Sequence, residues 1–132
     1  MPLPITAFYA GILALWVLFL AFQVVSQRRA AKVSIGTGDD PTLETRIRGH
    51  GNATETVPIG LILLGLSEGM SMPAWLLHLF GVALLAGRLL HGFHFLAPRD
   101  GLTLRFWGMV LTISSIAMMA LGLIGNSLPR IF

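Results

Sequence analysis

The chain has 132 residues, 55% of them hydrophobic and 11% charged, with a net charge of +3 and no cysteine. Soluble domains carry roughly one-quarter charged residues, so this balance, with a mean hydropathy of +0.78, describes one small unit built to sit in a bilayer. The absence of cysteine excludes disulfides, thiolate metal sites and a cysteine nucleophile. A pI of 10.7 does not make it a nucleic-acid binder, because the few cations cluster at the ends of apolar runs rather than along a polar face.

Four segments follow in chain order, predicting an all-α integral membrane fold, a four-transmembrane-helix bundle with helices near 4–27, 42–68, 73–97 and 102–126 in one domain. Segment one, Pro4–Gln27, is apolar from Ile5 to Val25 and long enough to cross a hydrocarbon core of ~30 Å. It is not expected to be a cleaved leader, since no cation precedes it and Arg28, Arg29 and Lys32 follow it. The stretch Val33–Pro41, with GTGDDP inside it, has loop composition, and Thr42 is a plausible cap for the next helix.

Segment two is the anomaly. Its apolar part, Val57–Leu66, would give about 15 Å of helix, or half a bilayer. It spans only if the polar half, Leu43–Glu55, continues the same helix and turns away from lipid. Pro58 then falls mid-helix, where a kink is expected. Within the polar half, Arg48, Asn52 and Glu55 are spaced by four and three residues and share one face at about 100° per residue. A cation, an amide and a carboxylate on one face of a spanning helix call for a role.

The sequence EGMSMP, Glu68–Pro73, reads as a tight turn. Segment three, Ala74–Leu96, is interrupted by His78, Arg88, His91 and His94, with Arg88 and His91 on one face. The turn Ala97–Gly101 leads to segment four, Phe106–Gly125, which carries no charge. Arg28, Arg29, Lys32, Arg46 and Arg48 lie between or beside segments one and two, and Arg99 and Arg105 between three and four. By the positive-inside rule both termini are outside and the basic connections cytoplasmic.

The polar inventory at that end comprises Arg28, Arg29, Arg48, Asn52, Glu55, Arg88, His91 and Arg105. It suits a small zwitterion with more negative than positive charge: guanidinium groups grip carboxylates, and a carboxylate grips an ammonium. Plainer roles fit some of these residues. Arg28, Arg29 and Lys32 could be headgroup anchors, Arg48 and Glu55 a structural ion pair, and the histidines helix-contact residues. No histidine has partners for a metal site.

Two blocks carry a resemblance to the MAPEG family, the membrane glutathione-dependent transferases and eicosanoid synthases. The first is QVVSQRRAAKVS, Gln23–Ser34, and the second is Arg48-x3-Asn52-x2-Glu55-x2-Pro58; a weaker third is Arg88-x2-His91. The resemblance implies homotrimers of four-helix protomers, with glutathione as co-substrate bound between subunits near the cytoplasmic side; the short loops and compact length point to a bacterial-type inner membrane. The resemblance also implies contacts from Arg28, Arg48, Asn52, Glu55, Arg88 and His91, and a thiolate-stabilising arginine, Arg105 or Arg99, near the start of helix four. No metal is implied. Thr56 stands where an aromatic residue often follows the glutamate, and Phe95 stands in the helix-three tyrosine position. The expected function is a glutathione transferase or peroxidase acting on lipophilic electrophiles in detoxification. The alternatives are a small proton-coupled transporter using Glu55 and a non-catalytic binding scaffold.

Overall fold

In the computed structural model, which describes residues 2–97 and 102–131, four helices make up the chain. They are α1 (Pro4–Ala31), α2 (Pro41–Gly69), α3 (Ala74–Leu96) and α4 (Thr103–Ile131). Three of them, α1, α3 and α4, are long and apolar enough to cross a membrane. The fourth, α2, is the polar one, and it runs unbroken from the Asp40 cap through Pro58 to Gly69. Twenty-nine residues give about 43 Å of helix, so the polar half supplies the length that Val57–Leu66 lacks. α1 extends four residues beyond the expected Gln27, and α4 continues past Gly125 to Ile131 through Pro129.

Short connections make sequential helices antiparallel neighbours. The pair α2 and α3 forms the centre: α1 and α4 each pack on both, and do not touch one another among the described residues. Two buried clusters hold the bundle. Tyr9, Leu64, Leu77, Phe80 and Met119 fill the half nearer the chain termini, and Leu13, Val57 and Leu84 the middle. Phe8, Leu15, Leu18 and Phe22 of α1, and Ile113, Leu121 and Ile124 of α4, point outward. In a bilayer such faces meet lipid or a neighbouring protein.

Each end of α2 is tied by a carboxylate. At its start, Asp40 Oδ1 accepts from the backbone N–H groups of Thr42 (2.8 Å) and Leu43 (3.1 Å), and Oδ2 accepts from Gln27 Nε2 at 2.8 Å. This caps orphan donors and fastens α1 to α2. At its end, Glu68 accepts from the N–H groups of Ile5 (2.9 Å) and Thr6 (2.7 Å), so a residue of α2 caps the N-terminus of α1. Nearby, Tyr9 Oη lies 3.1 Å from His78 Nδ1, joining α1 to α3.

The tightest helix contact is between α3 and α4. A Cβ on Gly108 would stand 2.6 Å from the backbone nitrogen of His91 and 2.8 Å from the carbonyl oxygen of Gly87. Backbone cannot yield as a flexible side chain can, so only glycine fits. Gly108→Ala should therefore lower the melting temperature in detergent. Gly125→Ala, which meets nothing within 4 Å, should be neutral or stabilising by up to about 1 kcal/mol. Equal melting of the two variants would contradict the packing described.

The Gln27 amide, with the Leu43 and Thr42 backbone donors, holds the Asp40 carboxyl below its ordinary range. Its contribution is complete above the unfolded carboxyl pKa and disappears as pH falls through the lower folded value. Asp40→Asn should thus cost stability at neutral pH and flatten the acid limb of the pH–stability curve. Parallel acid limbs for the two proteins would count against this tie.

Candidate functional site

At the end of the bundle carrying the α1–α2 loop, α2, α3 and α4 diverge around a crevice of about 480 Å3. Its walls are Ile47, Arg48, Gly51, Asn52 and Glu55 from α2, His91 and Phe95 from α3, and Arg105 from α4. This volume lies in the range of small-ligand sites. The helical spacing that places Arg48, Asn52 and Glu55 on one stripe thus aims them at a shared space, and α3 and α4 add an imidazole and a guanidinium.

The four charged or amide groups differ in how far they are already engaged. Arg48 donates through Nε (3.1 Å) and Nη2 (3.0 Å) to Glu44 Oε1, one turn earlier, with both side chains more than half exposed. An exposed i,i+4 pair contributes only about 0.3–0.5 kcal/mol. A charge-assisted hydrogen bond to a ligand is worth about 1.5–3 kcal/mol, so Arg48 remains available. Glu55 is exposed along the crevice and has no ion-pair partner among the described residues. Arg105 lies with its guanidinium carbon 5.6 Å from the centroid of the Phe95 ring, a cation–π contact that holds it at the crevice without consuming its donors. Phe95 is in turn packed between His91 (5.0 Å) and His94 (5.2 Å), and Gly49 lets its ring approach α2.

Two residues expected at the ligand lie elsewhere. Arg88 does not line the crevice. It is 1% exposed and sits behind Asn52, where its donors are already met. Nε donates to Thr112 Oγ1 (2.8 Å), and Nη1 to Asn52 Oδ1 (2.6 Å) and Thr56 Oγ1 (3.0 Å). Nη2 faces the Gly108 carbonyl (3.4 Å) and Met109 Sδ (3.5 Å). Its place behind the crevice has a physical reason: in an apolar interior a guanidinium must find acceptors, and α2 and α4 supply them. Arg28 lines a separate groove with Arg29, Lys32 and Ser34, and donates to the Ser34 (3.4 Å) and Gly36 (2.9 Å) carbonyls. Arg99 lies outside the described residues.

Sequence reasoning missed the acceptors of Arg88. Thr112 is wholly buried in the uncharged α4 run and carries no sequence signal. Thr56 was visible only as a departure from an aromatic pattern, yet its hydroxyl takes a hydrogen bond from Arg88 and gives one to the Asn52 carbonyl at 2.8 Å. Trp16 of α1 completes the set, donating from Nε1 to the Arg88 carbonyl at 3.2 Å.

A four-helix membrane bundle with a polar, mixed-charge crevice at one end is the class that fold and site define. The chain belongs to the MAPEG family: the family's profile matches residues 6–125. It is 36% identical over 114 residues to the inner membrane protein YecN of Escherichia coli K12, covering 83% of this chain and 87% of the relative. The YecN sequence of E. coli O6:H1 strain CFT073 matches to the same extent. The protein is accordingly an integral membrane protein whose relative resides in the inner membrane.

The buried donor network yields a direct test. Thr112→Val is nearly isosteric but removes the acceptor of Arg88 Nε, leaving a charged donor unpaired in the interior. It should destabilise the protein by about 1–3 kcal/mol. Ser114→Ala, on the same helix but outside the network, should cost much less. Thermal unfolding in a fixed detergent compares them, and equal costs would remove Arg88 as an organising contact.

Proposed function

We propose that the protein is a glutathione-dependent transferase or peroxidase acting on lipophilic electrophiles. The observation that carries this reading is the juxtaposition, around one small crevice, of an unpaired carboxylate, Glu55, with two available guanidinium groups, Arg48 and Arg105. A tripeptide with two carboxylates, one ammonium and a thiol matches that donor set. Glu55 would hold the ammonium, Arg48 a carboxylate, and Asn52 and His91 neighbouring polar groups. The thiol, when bound, supplies the nucleophile or reductant that a chain without cysteine lacks. Arg105 would stabilise its anion: a free thiol has a pKa near ~8.5, and an adjacent cation increases the thiolate fraction at neutral pH.

The reading includes a trimer. Glu55 and Arg48 are exposed on a spanning helix, a costly position against lipid and a natural one against another copy. Arg28 lies away from the crevice of its own protomer, so in a trimer its contact would be with a neighbour's. The positive-inside rule puts the crevice on the cytoplasmic side and both termini in the periplasm. The lipophilic substrate would reach it from the bilayer.

Isothermal titration of the purified protein in lipid nanodiscs with glutathione tests the binding half. The intact protein should bind. Glu55→Gln should weaken binding by about 10–150-fold, the equivalent of one lost charge-assisted hydrogen bond. Arg105→Leu should reduce turnover of an aryl halide with glutathione more than it reduces glutathione affinity. No binding by the intact protein would sink the proposal. Proton-driven solute flux abolished by Glu55→Gln, without turnover, would point to transport instead.

A further inference from the structure

Arg88 is a full positive charge in the middle of the bundle, and no carboxylate lies within ion-pair distance of it among the described residues. Its contacts on the crevice side are Asn52 Oδ1 and Thr56 Oγ1. A guanidinium has donors and no acceptor. At 2.6 Å the group facing it must be the oxygen of the Asn52 amide, because the reversed amide would set N–H against N–H. The amide therefore cannot flip. Thr56 reinforces this, since its hydroxyl bridges Arg88 to the backbone carbonyl of the same asparagine.

Asn52 lines the crevice, and with its oxygen turned to Arg88 the end of the amide left for a ligand is Nδ2. An amide whose oxygen is bonded to a cation is polarised, so its N–H groups become stronger donors. We propose that Arg88 is a positioning residue that locks and polarises Asn52, so that the crevice meets its ligand there with a fixed donor reserved for a carboxylate or carbonyl oxygen. Glu55, three residues on, can only accept when ionised. The α2 wall thus reads donor then acceptor, with Arg88 joined to the ligand by hydrogen bonds only through the asparagine. This rests on the reading of the crevice as the glutathione site but concerns what the wall recognises whichever ligand enters.

Asn52→Asp separates this from a merely structural role. The new carboxylate would face Arg88, giving the buried guanidinium a counter-ion while removing the donor from the crevice. The variant should melt at or above the temperature of the wild type, whereas Asn52→Ala should melt below it. Glutathione affinity of Asn52→Asp should fall at least about tenfold despite the intact fold. A second measurement needs no glutathione site. The chain has two asparagines, Asn52 and Asn126, so 15N-asparagine labelling yields two side-chain amide signals. Glutathione, and separately N-acetylglycinate as a simple carboxylate, should each shift the Asn52 pair and leave Asn126 in place. Arg88→Lys should displace the Asn52 pair before any ligand is added and weaken both titrations. Asn52→Asp melting below Asn52→Ala, or binding both probes as the wild type does, overturns the inference, as does an Asn52 signal that neither probe moves. A shift with N-acetylglycinate and none with glutathione would uphold the donor and discard glutathione as its ligand.

Discussion

A buried guanidinium without an acid is the constraint around which this bundle is arranged. Moving such an ion out of water costs several kcal/mol even after the protein relaxes. The cost is tolerable only where neutral acceptors close around it. Here Asn52 and Thr56 come from α2, Thr112 and the Gly108 carbonyl from α4, and Trp16 of α1 takes the carbonyl of Arg88 itself. One residue of α3 thereby touches all three other helices. The contact of α3 with α4 at Gly87 and Gly108 belongs to the same arrangement, since a side chain at either position would push the α4 acceptors out of reach.

That layer divides the polar residues into two populations. Behind the crevice they satisfy one another through a connected set of hydrogen bonds centred on Arg88. In front, Glu55 and Arg105 lack ion partners among the described residues, and Arg48 holds only a weak one. Unsatisfied charges exposed on the side of a spanning bundle are difficult to explain as packing. They are natural if a charged ligand and a neighbouring protomer complete the surface. The buried layer fixes the geometry, and in the proposed function the open layer does the recognising.

Much of this was legible in the sequence for simple geometric reasons. Ten apolar residues are too few to span, which required α2 to absorb its polar neighbours, and α2 does run from Pro41 to Gly69. Helical periodicity put Arg48, Asn52 and Glu55 on one stripe, and they do face one crevice. Periodicity gives the face of a helix but not what lies across from it. Arg88 shares a face with His91, yet the first is buried behind Asn52 and the second lines the crevice. The depth of a side chain depends on its length and on acceptors more than twenty residues away, such as Thr112. Arg48 pairs with Glu44 at i,i+4 spacing rather than with Glu55 further along the stripe, a choice that periodicity alone leaves open. The Glu68 cap spans more than sixty residues of sequence and carries no local pattern.

The contrast between Glu68 and Glu55, two of the three carboxylates of α2, gives the molecule its direction. Glu68 and Glu55 sit on one helix, and neither has a lysine or arginine partner among the described residues. Glu68 is nonetheless fully employed, because the N-terminus of α1 presents two backbone N–H groups to it and supplies partial positive charge. Near it, Tyr9 and His78 also engage one another. Glu55 is exposed instead. It projects into a space edged by guanidinium groups that are held by an aromatic ring and by an exposed neighbour rather than by Glu55 itself. The Glu68 carboxylate is therefore already engaged, and the Glu55 carboxylate is open. Around the Glu55 crevice an anion and cations of the protein stand together, which is what a ligand carrying both charges needs.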